Sequence, residues 1–280
     1  MKLLQDISSV TLAGFMDVNG KEELLMAKVG ERGSMLIAYS GGVDSSLLAG
    51  IAREVLGDRC RAVLLESPVV SRVAIRQAEE TAGMLGIPLD VIPVPLMEET
   101  AFLANPANRC YYCKKASARA LKGRAKELGL ACVADGMNCS DLGGHRPGIR
   151  ASDEEGIVHP FRETGMTKED IRAIARGRGY PFWNKPSAAC LVSRIPYGEE
   201  ITRRKLRMIE DAEEYLLCLG FTQVRVRLHG GIARIEVIPE EMEKLLQERD
   251  VILNTFRSIG FRYVTVDLGG YRTGSMDEVL

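Results

Sequence analysis

The chain has 280 residues, of which 46% are hydrophobic and 27% are charged, and these fractions are typical of a soluble globular protein with room for more than one domain. Its formal net charge of −1 gives no general basic field for nucleic acid or a membrane surface, so local arginines must bind any anionic ligand. No apolar run is long enough to cross a membrane and we find no secretory leader, so we expect a cytoplasmic protein without a membrane or nucleic-acid partner. Seven cysteines argue against a disulfide framework and leave some of them open for metal binding or catalysis.

The first predicted elements are a helix over 20–32 and a buried strand over 35–39, which leads into the glycine-rich turn SGGVDSS at 40–46. Glycines let backbone N–H groups approach an anion, and the first turn of the following helix carries partial positive charge. The turn resembles the loop of the PP-loop ATP pyrophosphatases, and it lacks the lysine of the Gly-Lys-Ser/Thr P-loop. An ordinary βα turn capped by Asp44 is the alternative. We expect the phosphate ligands to be Ser40, Gly41, Gly42, Asp44, Ser45 and Ser46.

Three more predicted strands follow, separated by helices. The strands lie over 61–65, 89–94 and 131–134, and the intervening helices begin near Ser71 and Tyr112. This alternation predicts an α/β fold with a doubly wound parallel sheet. Pro93 places its strand at an edge or a bend, because proline cannot donate a hydrogen bond to a neighbouring strand.

Polar residues gather after the last of these strands. Because the carboxyl ends of parallel strands share one edge of a sheet, the loop at 40–46, the turn at 66–68 and the segment from Asp135 should line one cleft. Asp135 and Asn138 suit Mg²⁺ or ribose hydroxyls. A solvated loop with Asx turns is the alternative. The pattern predicts no helix over 136–158, and so long a connection is usually functional or mobile.

Two thiols stand three residues apart at the start of a helix, and a third lies in a later polar stretch. They are Cys110 and Cys113 in RCYYCKK and Cys190 in KPSAACLVSR. The helix N-terminus and the basic residues around the pair favour thiolates; these residues are Arg109, Lys114 and Lys115. The spacing allows zinc with an unidentified fourth ligand, or a 4Fe-4S cluster held by three cysteines with one iron open. The alternative is that these cysteines are small buried hydrophobes.

A further predicted helix begins at Thr167. The pattern changes after 198–202, and we place the boundary between a domain over 1–197 and a domain over 198–280. The second domain is a predicted α+β layer with helices over 203–219 and 239–258 and strands over 223–229, 233–238 and 261–268. Arg225 and Arg227 alternate onto one face of their strand and can hold a phosphate or carboxylate together. A solvent-facing strand is the alternative. Arg272, in a glycine turn, is a further candidate for anion binding.

Together these motifs resemble one family over nearly the entire chain. They are SGGVDSS, RCYYCKK, DGMNCSD, RPGIRA, TKEDIR, KPSAACLVSRIPYGEEIT, RVRLHGGIARIE and DLGGYRTGSM. The chain resembles the LarE sulfur transferases, which have the adenine nucleotide alpha hydrolase-like domain of the PP-loop ATP pyrophosphatase superfamily. The resemblance implies that ATP, with Mg²⁺, adenylates pyridinium-3,5-biscarboxylic acid mononucleotide, a nicotinate-derived dicarboxylate mononucleotide. Pyrophosphate leaves and sulfur replaces the activated oxygen, on the way to the nickel-pincer nucleotide of lactate racemase.

The resemblance also separates two types of enzyme by their cysteines. One type has a single cysteine matching Cys190 and sacrifices its own sulfur. The other has cysteines matching Cys110, Cys113 and Cys190, and its 4Fe-4S cluster is implied to carry sulfide from a sulfide donor. This chain resembles the second type, so the three cysteines are implied as catalytic and metal-binding residues. Asp44 is implied to order the phosphate loop or its Mg²⁺.

Further residues are expected at the cofactor and the substrate. Arg194 is expected to stabilise negative charge on the cofactor and the substrate. Arg225 and Arg227 match arginines that are implied to bind the mononucleotide phosphate. Glu236 is expected to position a metal, and Arg272 is an additional substrate contact. The resemblance also implies a homo-oligomer.

Three alternatives share the phosphate loop. A tRNA thiolase can also combine a PP-loop with three cysteines, but this near-neutral sequence has no recognisable RNA-binding patch. An amide-forming NAD or GMP synthetase has no use for the paired cysteines. A nucleotide-binding sensor without enzymatic activity needs neither the thiols nor a second anion site.

Overall fold

The computed structural model describes residues 16–143, 147–186, 189–272 and 276, and the chain forms two compact units. Within the described residues, the first unit comprises 16–67, 74–95, 110–143 and 147–186, and the second comprises 68–73, 96–109, 189–272 and 276. Two short stretches of the amino-terminal half therefore belong to the second unit. The division into domains over 1–197 and 198–280 stays a prediction.

A four-stranded parallel sheet runs through the first unit in the order β3-β2-β1-β4. Its strands are β1 (Met35–Tyr39), β2 (Cys60–Glu66), β3 (Leu89–Pro93) and β4 (Cys132–Ala134). In the centre, Met35 of β1 pairs with Cys60 of β2 and with Cys132 of β4. β3 lies at an edge, as Pro93 predicts. The predicted α/β fold with a parallel sheet is confirmed.

Helices cover both faces of this sheet. Among the residues that the structure describes before position 200, the helices are α1 (Val18–Glu31), α2 (Val43–Leu56), α3 (Arg72–Met84), α4 (Thr100–Leu103), α5 (Arg109–Glu127), α6 (Pro147–Glu154), α7 (Pro160–Glu163) and α8 (Lys168–Gly177). Leu25 of α1, Leu48 of α2 and Ile171 of α8 share one buried core on one face. Leu121 of α5 packs with Leu36 and Val63 in a second core. Buried side chains on both faces are what a doubly wound sheet requires.

The segment over 136–158 differs from the prediction, because it contains helical structure. A 3₁₀ turn covers Cys139–Leu142, and α6 buries Ala151 and Ser152. Proline at the first position of a helix is favourable, because its missing N–H has no intrahelical partner there. In the sequence, the few apolar residues of α6 are too sparse to give a helical period, so the expectation of no helix was wrong.

The second unit contains a three-stranded mixed sheet. β5 (Val224–His229) pairs antiparallel with β6 (Ile232–Val237), and β6 pairs parallel with β7 (Tyr263–Val266). Helix α9 (Arg203–Cys218) begins at Thr202, whose hydroxyl accepts a hydrogen bond from the Lys205 N–H. Val224, Val226 and Leu228 are buried along one side of β5. The predicted smaller α+β layer is confirmed.

The predicted helix over 239–258 is divided. A 3₁₀ turn covers Pro239–Glu241, followed by α10 (Met242–Gln247) and α11 (Arg249–Ile259). Between the two helices the backbone of Glu248 has ψ of 9°, outside the helical region. No glycine or proline marks this break in the sequence, so the prediction of one helix was wrong there. Of the helices that the structure describes, none has the length and apolar character needed to cross a membrane.

Candidate active site

The turn at 40–46 joins β1 to α2 and packs directly against α3. Gly41 has φ of 69°, a left-handed conformation that residues with a side chain rarely adopt. A Cβ atom at Gly41 would lie 2.6 Å from both the Cα and the Cβ of Ala78. Only glycine therefore fits at this point of the loop.

The serines of the turn divide into two groups. The Ser40 and Ser45 hydroxyl oxygens lie 3.0 Å apart, and the Ser45 hydroxyl also donates to the Gly42 carbonyl at 3.2 Å. Ser46 is fully buried, and its hydroxyl donates to the Tyr39 hydroxyl at 3.2 Å. The hydroxyls of Ser40 and Ser45 therefore form hydrogen bonds within the loop. The Ser46 side chain instead belongs to the core beneath the loop.

Asp44 of the loop forms a two-pronged ion pair with Lys168. The Lys168 Nζ lies 2.7 Å from Asp44 Oδ1 and 2.6 Å from Oδ2. Burial raises the pKa of Asp44, and Lys168 opposes that rise. Lys168 is the first residue of α8, and the predicted helix start at Thr167 is confirmed by a capping box with Asp170. Lys168 lies in the TKEDIR motif, but the sequence gives no local signal for its contact with Asp44.

The end of β4 adjoins this loop. A Cβ atom at Gly136 would lie 2.9 Å from the Ser45 backbone nitrogen and 3.0 Å from the Asp44 Cβ. The predicted proximity of the loop at 40–46 and the segment from Asp135 is therefore confirmed within the first unit.

Asp135 is the centre of a buried network that the sequence did not predict. Its Oδ1 lies 2.6 Å from His159 Nδ1, and its Oδ2 accepts a hydrogen bond from Lys114 Nζ at 2.9 Å. Burial alone would raise the pKa of Asp135, but His159 and Lys114 outweigh it and hold the pKa well below its usual range. Both oxygens are therefore already engaged by cationic or polar side chains. His159 follows an apolar stretch that gave no signal for this role.

Asn138, the second predicted ligand of this segment, is buried and caps a helical turn. Its side chain accepts a hydrogen bond from the Ser140 N–H at 2.9 Å, and Asp141 accepts one from the Asn138 N–H at 3.1 Å. The Ser140 hydroxyl in turn accepts from the Lys168 N–H at 3.0 Å. Asn138 therefore shapes the backbone that leads to Lys168, and its ligand role stays a prediction.

Cys110 and Cys113 lie in the first turn of α5, exposed and half-buried respectively. Next to them, Lys114 binds Asp135, which precedes the Gly136 that packs on the phosphate loop. Lys115 binds Glu154 at 3.2 Å. The first unit thus connects the cysteine pair to the loop at 40–46 through Lys114 and Asp135.

Cys190 belongs to the second unit, where a buried arginine holds its backbone. The cysteine is exposed and precedes the 3₁₀ turn Leu191–Arg194. Arg194 donates to the carbonyls of Ala189 and Cys190 at 2.9 and 3.0 Å, and its Nε and Nη2 each donate to Glu213 at 2.9 Å. The resemblance implies that Arg194 stabilises substrate charge, and the sequence gives no signal for its partner Glu213. In the structure Arg194 positions the cysteine-bearing backbone.

Arg227 of β5 and Glu236 of β6 form an ion pair diagonally across the two strands, since Arg227 pairs with Arg234 in the strand register. Arg227 donates to Glu236 at 2.8 Å and to the Ser193 carbonyl at 3.1 Å, and Glu236 also accepts from Arg234 at 3.2 Å. Arg227 and Glu236 are buried, so this part of the strand does not face solvent. Two guanidinium groups engage Glu236, and its metal role stays a prediction.

The same face of the sheet carries further basic side chains. Arg225 lies over the Tyr271 ring, with its guanidinium carbon 5.1 Å from the ring centroid. Burial lowers the pKa of Arg225, and the neighbouring Arg194 adds to this effect. His229, which the sequence reasoning did not select, continues the alternation, and its buried Nε2 has no hydrogen-bond partner in the described part of the chain. Arg272 is exposed, 3.8 Å from Asp267.

The three predicted cluster ligands differ in environment from a structural cysteine. Cys60 is buried, and burial raises its pKa to about 12, whereas Cys110 and Cys190 are exposed and Cys113 is half-buried. Within either unit, no three described side chains of His, Cys, Asp or Glu converge as a metal site. Cys190 lies in one unit and the other two in the other, so their convergence stays a prediction.

Comparison with known proteins agrees with this fold and loop. The sequence model of the NAD synthase family matches residues 18–134, the part that holds β1 to β4 and the loop at 40–46. The uncharacterized protein slr1717 of Synechocystis is 42% identical over 94% of this chain and 99% of its own length. The uncharacterized protein MJ0830 of Methanocaldococcus jannaschii is 32% identical over 85% of this chain and 91% of its own length.

A relative with a stated activity extends the likeness through both units. The pyridinium-3,5-bisthiocarboxylic acid mononucleotide synthase of Lactiplantibacillus plantarum is 35% identical over 93% of this chain and 95% of its own length. The match therefore includes the cysteine-bearing turn and the basic face of the second unit as well as the phosphate loop. The chain belongs to the LarE family, that of this synthase, within the PP-loop ATP pyrophosphatases.

Proposed function

We propose that this protein is an ATP-dependent sulfur transferase that acts on the carboxylates of pyridinium-3,5-biscarboxylic acid mononucleotide. The observation that carries the proposal is the 35% identity, over 93% of the chain, to a synthase of the corresponding bisthiocarboxylic acid mononucleotide. The tight loop at 40–46, at the carboxyl end of β1, supports ATP as co-substrate, because it presents N–H groups and hydroxyls to an anion.

The reaction needs activation because a carboxylate oxygen is a poor leaving group. One carboxylate oxygen of the substrate attacks the α-phosphorus of ATP, and pyrophosphate leaves with the β- and γ-phosphates. Sulfide then attacks the acyl carbon, and AMP leaves with the original oxygen. Splitting one difficult substitution into two easier ones is the general advantage of such covalent intermediates. A second cycle converts the other carboxylate.

Different residues of the loop at 40–46 bind the phosphates and the Mg²⁺ of ATP. The hydroxyls of Ser40 and Ser45 and the N–H groups at the start of α2 hold the β- and γ-phosphates. Asp44 is the carboxylate that would hold Mg²⁺, because it belongs to the phosphate loop and is partly exposed, whereas Asp135 is buried against His159 and Lys114. When bound, Mg²⁺ neutralises charge on the phosphates. The ion pair with Lys168 fixes the orientation of the Asp44 carboxylate within the loop.

For sulfur delivery we propose a 4Fe-4S cluster held by Cys110, Cys113 and Cys190. The accessibility of these three thiols fits the donor set, since thiolates are the usual cluster ligands. When bound, the cluster would carry the sulfide supplied by a donor on its open iron. The residues of the chain position the ligands: Lys114 anchors the turn with Cys113, and Arg194 anchors the backbone of Cys190.

The basic face of the second unit is the proposed site for the charged groups of the mononucleotide. Arg225 and Arg227 would bind its phosphate by charge-assisted hydrogen bonds, with Arg272 as a further contact. Burial of Arg227 against Glu236 fixes its orientation before the substrate arrives. A cytoplasmic location and a homo-oligomer complete the proposal.

Pyrophosphate release tests the adenylation step directly. With Mg²⁺ and ATP, the dicarboxylate mononucleotide should stimulate release, and replacing Asp44 by Asn should lower the rate at least about tenfold, because the loop loses its charge. Asp58→Asn is the matched control, since Asp58 is an exposed carboxylate in the same unit. An unchanged rate in Asp44→Asn would remove Asp44 from the mechanism. Stimulation by tRNA and not by the mononucleotide would assign the protein to the thiolases.

A further inference from the structure

Lys185 places an ammonium group against the phosphate loop. Its Nζ donates a hydrogen bond to the Gly41 carbonyl at 3.1 Å, at the residue whose backbone packs on Ala78. The side chain is half-buried, and burial lowers the pKa of Lys185. A cation in such a position is less well solvated than one at an open surface.

The charge of Lys185 is not matched by a carboxylate in the part of the chain that the structure describes. The other two lysines near this site are each paired, Lys168 with Asp44 and Lys114 with Asp135. Glu80 is exposed, and its negative charge opposes the lowering of the Lys185 pKa. Lys185 therefore offers the loop a positive charge that an anionic ligand can use.

We propose that Lys185 is a phosphate-binding residue of the ATP site and contacts the β- and γ-phosphates that leave as pyrophosphate. This inference rests on the ATP use in the proposed function. The loop itself contributes N–H dipoles, hydroxyls and the negative carboxylate of Asp44, but no cation, whereas the triphosphate carries several negative charges. A fixed ammonium group beside Gly41 supplies the charge that these dipoles lack, and a phosphate oxygen would complete its solvation.

Calorimetric titration with ATP and with AMP, in the presence of Mg²⁺, tests the assignment. We compare the native protein with Lys185→Met, Lys185→Arg and Lys126→Met, the last an exposed lysine on α5. Lys185→Met should weaken ATP binding by about tenfold to hundredfold, the usual value of a charge-assisted hydrogen bond. AMP binding should change much less, because AMP lacks the contacted phosphates. Lys185→Arg should retain most of the affinity for ATP, and Lys126→Met all of it.

Two results would overturn the inference, and they differ from failure of the proposed function. Equal losses of ATP and AMP affinity in Lys185→Met would mean that Lys185 only supports the Gly41 carbonyl. Unchanged ATP affinity would remove Lys185 from the site. If the native protein binds no ATP, the proposed function itself fails. A thermal melt of each variant separates lost binding from lost folding, and the charge-retaining Lys185→Arg supplies the comparison if Lys185→Met does not fold.

Discussion

At the scale of single residues, buried charges in both units have specific partners. Asp135 is paired with Lys114 and His159, and Glu236 with Arg227 and Arg234. Burying two charges costs about as much as their attraction returns, so such pairs add little stability. Removing one partner, in contrast, leaves an uncompensated charge. The pairs therefore fix geometry: at Asp135 they fix the cysteine pair relative to the phosphate loop.

Replacing Asp135 by Asn should destabilise the first unit by about 3–5 kcal/mol at pH 7, the usual cost of breaking a buried ion pair. The pKa of Asp135 is lower in the folded than in the unfolded chain. Its contribution to stability is therefore present above the unfolded pKa and is lost as pH falls toward the folded value. Urea unfolding of the native protein should show this loss below about pH 4, and Asp135→Asn should show a flatter dependence.

Asp58→Asn provides the control for this measurement, since Asp58 is exposed at the end of α2. It should leave both the stability at pH 7 and the acid dependence close to those of the native protein. An acid dependence in Asp135→Asn as steep as in the native protein would show that other carboxylates cause it.

Single residues were predictable where a local pattern constrains them. Gly41 and Asp135 follow buried strands, and that position alone places them at the sheet edge. Lys168 and Lys185 were not predictable in this way. Each reaches the loop from more than a hundred residues away in sequence, and a lysine at a helix start or in a loop has no local property that identifies its distant partner.

At the scale of elements, the 3₁₀ turn Leu191–Arg194 is held by the side chain at its own end. Arg194 donates to two carbonyls at the start of the turn and to Glu213 of α9, and Glu213 also accepts from the Val226 N–H at 2.9 Å. One arginine thereby joins the turn, α9 and β5. The backbone at the exposed Cys190 is therefore held in place by Arg194, which is itself fixed by Glu213.

Arg194→Gln should lower the free energy of unfolding of the second unit by about 3–5 kcal/mol, because Glu213 stays buried without its counter-charge. It should also change the rate at which Cys190 is alkylated, since two carbonyls around the thiol lose their donor. Arg72→Gln is the matched control: Arg72 is ion-paired to the same helix, at Glu210, Asp211 and Glu214, but is exposed. Exposed ion pairs contribute about 0–1 kcal/mol to the free energy of unfolding, so Arg72→Gln should destabilise the second unit much less than Arg194→Gln.

Equal destabilisation by Arg194→Gln and Arg72→Gln would contradict the role given to burial. An unchanged alkylation rate of Cys190 in Arg194→Gln would contradict the role of Arg194 in positioning the cysteine, whatever its effect on stability.

Elements with a clear period were predicted, and those without one were missed. The strand β5 has an alternating run, and β1 is a short apolar run bounded by turn residues; both patterns indicate a strand. Helix α6 has few apolar residues, so its sequence resembles a loop. The helices α10 and α11 share a continuous helical pattern, and the break at Glu248 is a matter of backbone geometry, which composition does not encode.

At the scale of the whole molecule, the chain alternates between its two units. Stretches 68–73 and 96–109 leave the first unit and join the second. Val69 accepts a hydrogen bond from the Leu191 N–H at 2.8 Å, and the buried Asn105 donates to the carbonyls of Pro196 and Glu199. These contacts link stretches that are distant in the sequence, and no local pattern in the sequence indicates them.

Both units carry parts of the proposed reaction. The first holds the phosphate loop and the cysteine pair, and the second holds Cys190 and the basic face. If the three cysteines hold a cluster that delivers sulfide, no cysteine is consumed. A single-use donor would instead lose the sulfur of Cys190. The number of turnovers therefore distinguishes the two schemes.

The most direct test is mass spectrometry of the mononucleotide after anaerobic incubation of the iron-loaded protein with ATP, Mg²⁺ and a sulfide source. We expect ATP-dependent exchange of carboxylate oxygen for sulfur, more than one sulfur transferred per chain, and an intact Cys190. At most one sulfur per chain, with Cys190 converted to dehydroalanine, would contradict the cluster. A mononucleotide that gains no sulfur under these conditions would contradict the function itself.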